Sequence, residues 1–301
     1  HVLLLKAQFT AASAADFVAE VLRSWLDQGA VAKEKWVMPL AIALGDRRTV
    51  DTISQLIKEW TDYSRGALAA EGVRALSFSE DLAALRQIDS IKRTIKNKQV
   101  RSAAEEALGM AAANLKISAE ELEDRLVTQL GFDASGKQVF SYGERTFTVK
   151  VSNELELEVT NDSTGKAVKN LPAPTQKDDQ QLAEEARATF AQLKKDLKSM
   201  VKLQALRLEE SLSKSRYWTT EAWNRLFVEN VLMQKFAIGL IWGVYEDGSL
   251  AATFRYMDDG TFNTVDEDEY ELPEQAQIGL VHPLELDEET LAGWRSQLDD
   301  Y

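Results

Sequence analysis

The sequence contains no cysteine, and His1 and His282 are the only histidines among its 301 residues. The missing thiols exclude disulfides, thiolate zinc sites and cysteine nucleophiles, and such a chain suits a reducing cytoplasm. Two histidines are too few for an HExxH zinc motif or a multi-histidine cluster. The patterns GxxxxGK[ST], GxGxxG and GxSxG are also missing, so nucleotide binding and a hydrolase nucleophile have no support. We therefore expect a cytoplasmic protein without a metal or a cofactor.

No apolar run is long enough to cross a bilayer, and the first ten residues lack the features of a secretory signal. The composition, with 45% hydrophobic and 28% charged residues, is typical of a soluble globular protein with room for two domains. Because the chain does not begin with methionine, we expect it to be a piece of a larger protein.

The negative charge is concentrated at one end of the chain. The net charge is −14, and residues 216–301 hold 5 Lys and Arg against 18 Asp and Glu. This segment should repel nucleic acids and anionic lipids. Residues 1–113 are close to neutral and are not constrained in this way.

The longest helical pattern in the chain covers residues 178–214. Its apolar residues recur at steps of three or four and draw one stripe along a helix about 50 Å long. Such a helix needs other elements packed along it, so we predict that it is the spine of the fold. The stripe consists of Leu182, Ala186, Phe190, Leu193, Leu197, Val201, Ala205, Leu208 and Leu212.

Residues 1–130 predict a helical array. Helical hairpins follow Gly45, and their patterns repeat at offsets of 32 residues for the first helices and 36 for the second. The small residues within 98–112 resemble the second helix of a HEAT repeat, although alanine's helix propensity alone would give a similar pattern. The near-constant period favours a short HEAT-like solenoid.

The periodicity changes from helical to alternating near residue 137. Residues 137–142, 145–151 and 154–160 alternate apolar with polar side chains and predict a three-stranded antiparallel meander. A proline-containing linker then leads to the long helix, so the meander and linker together occupy residues 131–177.

The long helix and a small Trp-rich, acidic α+β unit make up residues 178–301. This unit should contain two short helices, a hairpin on an Asp247-Gly248 turn, a final strand and a closing helix. The predicted fold class is therefore mainly α with α+β parts.

A series of short motifs runs through the second half of the chain: Glu121-Leu-Glu-Asp-Arg-Leu, Gly131-Phe-Asp-Ala-Ser-Gly, Tyr142-Gly, Leu171-Pro, Lys194-Lys-Asp-Leu-Lys, Arg207-Leu-Glu-Glu, Trp242-Gly-Val-Tyr, Ala252-Thr-Phe-Arg and His282-Pro-Leu-Glu-Leu. In order and spacing they resemble a bacterial domain of unknown function found in proteins described as MolR-like regulators of molybdate metabolism. The resemblance covers roughly residues 45–301. It implies HEAT-like helices ahead of the domain and no transferable catalytic residues.

Some proteins of the family that this chain resembles also carry a WGR module, which is associated with the sensing of DNA ends. In this chain Trp242-Gly243 is followed by Val244 in place of arginine. The WGR pattern is therefore absent here.

His282 is the histidine for which a catalytic role can be considered, and Arg255 and Trp242 are its candidate partners. An enzyme would need these side chains, or nearby acids, to converge in a deep pocket. The alternative is that His282, beside Pro283 at a strand end, forms ordinary structural hydrogen bonds. The sequence favours the structural alternative.

Charged clusters provide the remaining candidates. A basic cluster of Lys92, Arg93, Lys96, Lys98 and Arg101 lies at the predicted turn of the second hairpin, where it could meet phosphates or an acidic partner. A row formed by Lys194, Lys198 and Lys202 follows the long helix, and such rows are usually a solvated face. The acids of residues 258–269 do not fit an EF-hand, because Arg255 and Met257 would fall on ligand positions.

These observations favour a non-catalytic interaction or scaffold module of a larger cytoplasmic bacterial protein, with another protein or another domain as its partner. The alternative is a nucleic-acid-associated regulator that uses the basic cluster of the helical array. An enzyme centred on His282 is a third hypothesis.

Overall fold

The computed structural model describes residues 10–300, which fall into two compact units that divide between Val127 and Thr128. The first nine residues of the predicted array lie outside this part. The described chain is mainly helical and carries two antiparallel sheets, so the predicted fold class is confirmed. None of the described helices combines the length and the hydropathy needed to cross a bilayer.

The first unit is a two-layer helical array. The second helices of successive hairpins, α2, α4 and α6, pack side by side, and each of the hairpins α3–α4 and α5–α6 packs internally. The HEAT-like assignment stays a prediction. The helices are α1 (Ala11–Asp27), α2 (Val37–Leu44), α3 (Arg47–Asp62), α4 (Gly66–Leu76), α5 (Leu82–Thr94), α6 (Lys98–Leu115) and α7 (Ala119–Arg125).

Small residues let these helices approach closely. Gly72 of α4 lies against Ile57 of α3, where an added Cβ would come within 2.9 Å of Ile57 Cγ1. Across the α2–α4–α6 layer, charged side chains form a ladder on the outer surface. Lys35 pairs with Glu71 at 3.1 Å, and Arg74 pairs with Glu71 at 3.2 Å and with Glu106 at 2.9 Å. The ladder links α4 to α6 and to Lys35, which lies two residues before α2.

The second unit begins with an antiparallel meander of order β1-β2-β3-β4. The three predicted strands are present, and a fourth short strand that was not predicted follows them, ahead of the proline-containing linker. It forms because the turn at Gly165, whose φ is +67°, folds the chain back onto β3. The strands are β1 (Lys137–Ser141), β2 (Thr146–Val151), β3 (Leu157–Asn161) and β4 (Lys166–Val168).

The long helix α8 (Gln180–Ser213) is unbroken, as predicted. Asp179 caps it by accepting a hydrogen bond from the Leu182 N–H. The first half of α8 packs on the meander, where the rings of Phe140 and Phe190 meet edge to face at 5.8 Å. The meander and α8 therefore share one hydrophobic core.

A five-stranded sheet of order β5-β9-β6-β7-β8 completes the second unit. The predicted hairpin on Asp247-Gly248 is present. Where two short helices were predicted, the chain forms a strand, a helical turn that runs into a π-helical turn (Asn224–Val228), and one further helix. The elements are β5 (Tyr217–Thr219), α9 (Thr220–Trp223), α10 (Val231–Ile238), β6 (Ile241–Glu246), β7 (Ser249–Tyr256), β8 (Phe262–Asn263), β9 (Gln277–Leu280) and α11 (Glu288–Asp300).

Aromatic rings fill one face of this sheet. Trp223 lies at the centre, with ring centroids 5.2 Å from Trp242, 5.6 Å from Phe254 and 5.6 Å from Phe227. Edge-to-face and tilted contacts of this kind add to the free energy of simple burial. The tryptophans of the predicted Trp-rich unit are therefore buried: Trp218, Trp223 and Trp242 pack on this face, whereas Trp294 of α11 donates a hydrogen bond to Thr253 on the other face.

A buried ion pair fixes the linker at the start of α8. The side chain of Asp178 is fully buried, and Arg145 donates to its two oxygens at 2.8 and 2.5 Å. Thr175 donates its N–H and its hydroxyl to the same carboxylate at 2.6 and 2.9 Å. These hydrogen bonds, those of Arg145 first, hold the pKa of Asp178 well below its usual range, against the opposing effect of burial.

We predict that Asp178→Asn lowers the urea midpoint of unfolding at neutral pH, because Arg145 would lose its charged partner. The folded-state pKa of Asp178 lies below the unfolded value of about 4, so its contribution to stability is complete above about pH 5 and is lost progressively as the pH falls toward the folded-state pKa. The difference between wild type and Asp178→Asn should therefore shrink between about pH 5 and about pH 2. Asp299→Asn, at an exposed position, is the control. A difference that does not change over this range would contradict the assignment.

Candidate functional site

The basic cluster lies where the sequence places it, around the turn between α5 and α6. Arg93 is neutralised by Asp89, whose two oxygens accept hydrogen bonds at 2.8 and 3.1 Å. The other four members, Lys92, Lys96, Lys98 and Arg101, form no ion pair with any described residue. These four side chains form one positively charged edge of the helical array.

The structure does not bring His282, Arg255 and Trp242 together. Trp242 pairs with Phe254 and Arg255 with Ile241 across β6 and β7, so the side chains of Trp242 and Arg255 lie on opposite faces of the sheet. The reason is a bulge at Val244/Tyr245. Without it, the two-residue turn would place Trp242 opposite Thr253 and on the same face as Arg255.

Each of these three residues forms a structural hydrogen bond. Trp242 Nε1 donates to the Ala237 carbonyl at 3.1 Å in the core. Arg255 is buried and its NH1 reaches Gln297 Oε1 of α11 at 3.5 Å. His282 is exposed beyond β9, and its Nδ1 accepts a hydrogen bond from the Leu284 N–H at 3.2 Å. His282 therefore acts as a cap of the turn that follows it.

The Trp242-Gly-Val-Tyr motif also has a structural explanation. The ring of Tyr245 lies over Gly243, and a Cβ at this glycine would come within 2.9 Å of Tyr245 Cε2 and 2.5 Å of Leu250 Cδ1. The Tyr245 hydroxyl donates to Glu285, with oxygen distances of 3.2 and 3.1 Å. Burial, followed by the charge of Glu285, raises the pKa of Tyr245. Tyr245 thus stays neutral and closes this face of the sheet.

The acids of residues 258–269 do not form a metal site. Asp259 accepts hydrogen bonds from the N–H and hydroxyl of Thr261, and Asp258 accepts one from Asn153. Within residues 10–300 no group of three or more acidic or histidine side chains has the arrangement of a metal site.

A groove along one flank of α8 is the strongest candidate site. It has a basic compartment of about 480 Å³ and an apolar compartment of about 380 Å³, and Leu155 lines both. The basic compartment is bordered by the start of β3 and by the first half of α8. Its lysines are Lys169, which follows β4, and Lys194 and Lys198 of α8. Its apolar floor consists of Phe190, Leu197 and Val201 of α8.

The apolar compartment lies along the second half of α8. Its walls come from α8, from the end of α10 and from β9, and most of its side chains are half-buried. Lys235 and Glu209 are its charged lining residues. The apolar residues are Leu155, Ala205, Leu208, Leu212, Phe236, Leu240 and Leu280.

The groove exists because the buried face of α8 and its predicted apolar stripe diverge in the second half of the helix. Met200, Gln204 and Ser211 are buried there, although the stripe did not include them. Val201, Ala205 and Leu212, which belong to the stripe, are half-buried and line the groove. The same flank is basic at Lys194 and Lys198 and becomes apolar toward the C-terminus of α8.

The turn between β2 and β3 divides the groove. Leu155 in this turn has a φ of +59°, a left-handed conformation that is unusual for a bulky residue and that often marks functional positions. Asn153 holds the turn by accepting a hydrogen bond from Lys235 at 2.8 Å and donating one to Asp258 at 2.9 Å. The turn is thus attached to α10 and to the loop after β7.

The second half of the chain is similar to a known sequence domain. Residues 165–301 match the domain of unknown function DUF4132. Residues 45–301 were expected to resemble such a domain, so the matched part confirms the expectation over a shorter range, and the MolR-like description stays a prediction. The DUF4132 region contains α8 and the five-stranded sheet, whereas Leu155 and β3 precede it.

A longer relative covers almost the whole chain. The uncharacterized protein YehI of Escherichia coli (strain K12) is 33% identical over 290 residues, which is 95% of this chain and 24% of that protein. The chain therefore spans about a quarter of the length of this relative. No solved structure gives a significant match.

We predict that Gly243→Ala lowers the free energy of unfolding by about 1–3 kcal/mol, because the new methyl group would overlap Leu250 and Tyr245 in the DUF4132 region. Gly109→Ala is the control, since its site in α6 is exposed and nothing lies within 4 Å of the added Cβ. This control should gain up to about 1 kcal/mol of stability. Urea denaturation measures both, and an unchanged Gly243→Ala would refute the packing account.

Proposed function

We propose that this chain is a non-catalytic interaction module of a larger cytoplasmic protein, and that the groove along α8 receives a segment of a partner protein. One observation carries the proposal. Apolar residues of the α8 stripe, Val201, Ala205 and Leu212, border an open groove and are left half-covered by the chain itself.

The apolar compartment can supply affinity. Leu155, Leu212, Phe236, Leu240 and Leu280 are each half-buried, and covering their remaining apolar surface is worth about 25 cal/mol per Å². Apolar grooves beside a helix commonly hold an anchor side chain of a partner segment. The lysines of the basic compartment would then favour a partner with nearby carboxylates.

The helical array would serve the same module as a scaffold. Its stacked hairpins fit the prediction of a HEAT-like solenoid, and arrays of this kind commonly present extended binding surfaces. The partner segment would come from the remainder of the longer polypeptide or from another protein.

We predict that peptides selected from a phage-displayed random library on the immobilised chain bind through the groove. Leu212→Asp should weaken their binding at least about tenfold, because a carboxylate in the apolar compartment loses its hydration when the peptide covers it. Leu206→Asp is the matched control on the same helix, since Leu206 is 58% exposed and does not line either compartment. Fluorescence anisotropy of labelled peptides measures both variants.

Selected peptides that bind wild type, Leu212→Asp and Leu206→Asp equally would place binding elsewhere. Circular dichroism and the urea midpoint should show that Leu212→Asp remains folded.

The basic cluster supports a second candidate, a regulator that contacts nucleic acid, as the MolR-like resemblance suggests. The observation in its favour is that Lys92, Lys96, Lys98 and Arg101 lack acidic partners among the described residues. The net charge of −14 opposes strong binding, so the contact would be weak and sensitive to salt.

For this candidate we predict that duplex DNA binds the chain at low salt with a log–log salt slope of about −0.9 for each phosphate contacted. Replacing Lys96, Lys98 and Arg101 by Glu should abolish the binding. A variant with Lys194, Lys198 and Lys202 replaced by Glu has the same change in net charge and is the control. Equal binding by both variants, or no binding by the wild type, would remove this candidate.

A further inference from the structure

The edge of β3 is open beside the basic compartment. The short strand β4 pairs with Val159, Thr160 and Asn161 of β3 and with no earlier residue. Leu157 and Glu158 pair with β2 on one side and, within residues 10–300, have no strand neighbour on the other. An open edge presents backbone N–H and C=O groups that an added strand can use.

The surroundings of this edge have a definite chemical character. Lys169, directly after β4, lines the compartment beside this edge, and Lys194 and Lys198 on α8 border the same compartment. Lys194 donates to Asn170 Oδ1 at 2.8 Å, and Lys169 and Lys198 form no ion pair with any described residue. The two glutamates of the compartment, Glu154 and Glu156, leave the lysines in excess.

The wall opposite the edge is apolar. Phe190, Leu197 and Val201 of α8 lie along the compartment, and Leu157 of β3 faces the same space. Glu154 belongs to the turn, where hydrogen bonds with Ser152 and with its own backbone, and to a smaller extent the charge of Lys235, lower its pKa. A strand added at the β3 edge would therefore turn one row of its side chains toward α8, where these apolar residues and Lys194 and Lys198 lie on the same side.

We propose that the partner segment of the proposed function binds the basic compartment as an extended acidic strand. Its backbone pairs with β3 at Leu157 and Glu158, where one of these two adjacent residues turns its N–H and C=O to the open edge, and its carboxylates lie beside Lys194 and Lys198. This inference rests on the proposed function, since it names the chemistry of the segment that enters the groove. The backbone hydrogen bonds fix the register of the added strand on β3, and the lysines favour acidic over basic side chains in the partner segment.

Three peptides test the inference. The first has about six residues that alternate Val and Glu, which is the length of an ordinary strand. The second has Lys in place of Glu. The third keeps the acidic sequence but replaces two adjacent central N–H groups by ester oxygens, so that each edge of the peptide loses one donor.

We expect the acidic peptide to bind at low salt and to shift the backbone amide resonances of Leu157 and Glu158 in NMR spectra of the full chain. The Lys peptide should bind at least about tenfold more weakly, and the ester peptide roughly fivefold more weakly. Failure of the acidic peptide to bind would overturn the inference. Equal binding by the ester peptide would overturn strand pairing.

Charge reversal on α8 provides the matched comparison. The double variant Lys194→Glu/Lys198→Glu should weaken acidic-peptide binding at least about tenfold, whereas Lys195→Glu/Lys202→Glu should change it less than about twofold. Lys195 and Lys202 are exposed on the same helix and line neither compartment. Equal losses in both variants would show nonspecific ionic attraction and would overturn the inference.

The two proposals fail in different ways. If Leu212→Asp weakens library-peptide binding but Lys194→Glu/Lys198→Glu leaves acidic-peptide binding unchanged, the proposed function stands and the inference is wrong. If library-peptide binding does not depend on Leu212 and acidic-peptide binding does not depend on Lys194 and Lys198, both proposals are wrong.

Discussion

The burial of one face of α8 is the interaction on which the second unit depends. A helix of 34 residues is about 50 Å long and is not stabilised by its own hydrogen bonds alone, so it requires packing along its length. The meander supplies this packing in the first half, through contacts such as that of Phe140 with Phe190. In the second half the buried face turns toward Met200, Gln204 and Ser211, and the apolar flank at Ala205 and Leu212 remains half-covered. The groove is the consequence of this divergence.

Polar contacts then fix the elements that border the groove. Arg145 and Asp178 hold the linker at the point where α8 begins, and Asn153 holds the β2–β3 turn to Lys235 and Asp258. Buried charge pairs and side-chain bridges of this kind define one arrangement of the chain more than they add net stability. The groove therefore combines a rigid helix with a turn that is held by two exposed hydrogen bonds.

The sequence predicts the parts of the fold that repeat a simple period. The limits of α8, residues 180–213 against the predicted 178–214, follow from apolar spacing sustained over many turns. The short strand β4 has three residues, too few to show alternation, and the π-helical turn at 224–228 has no periodic signal. The bulge at Val244/Tyr245 reverses the face of Trp242 relative to Arg255, and a single-residue irregularity of this kind is not encoded in the pattern of apolar residues. The groove was missed because the stripe on α8 shows which residues are apolar and not which of them the chain covers.

The helix α8 is one continuous element, and its flank forms a single surface on both sides of Leu155. Hydrogen exchange of the backbone amides of α8 tests it most directly. We expect the amides from Leu193 to Leu208 to exchange as slowly as those of β6 and β9, with faster exchange confined to the ends of the helix. Fast exchange in the middle of α8, near Met200, would show two separate helical segments and would contradict the account.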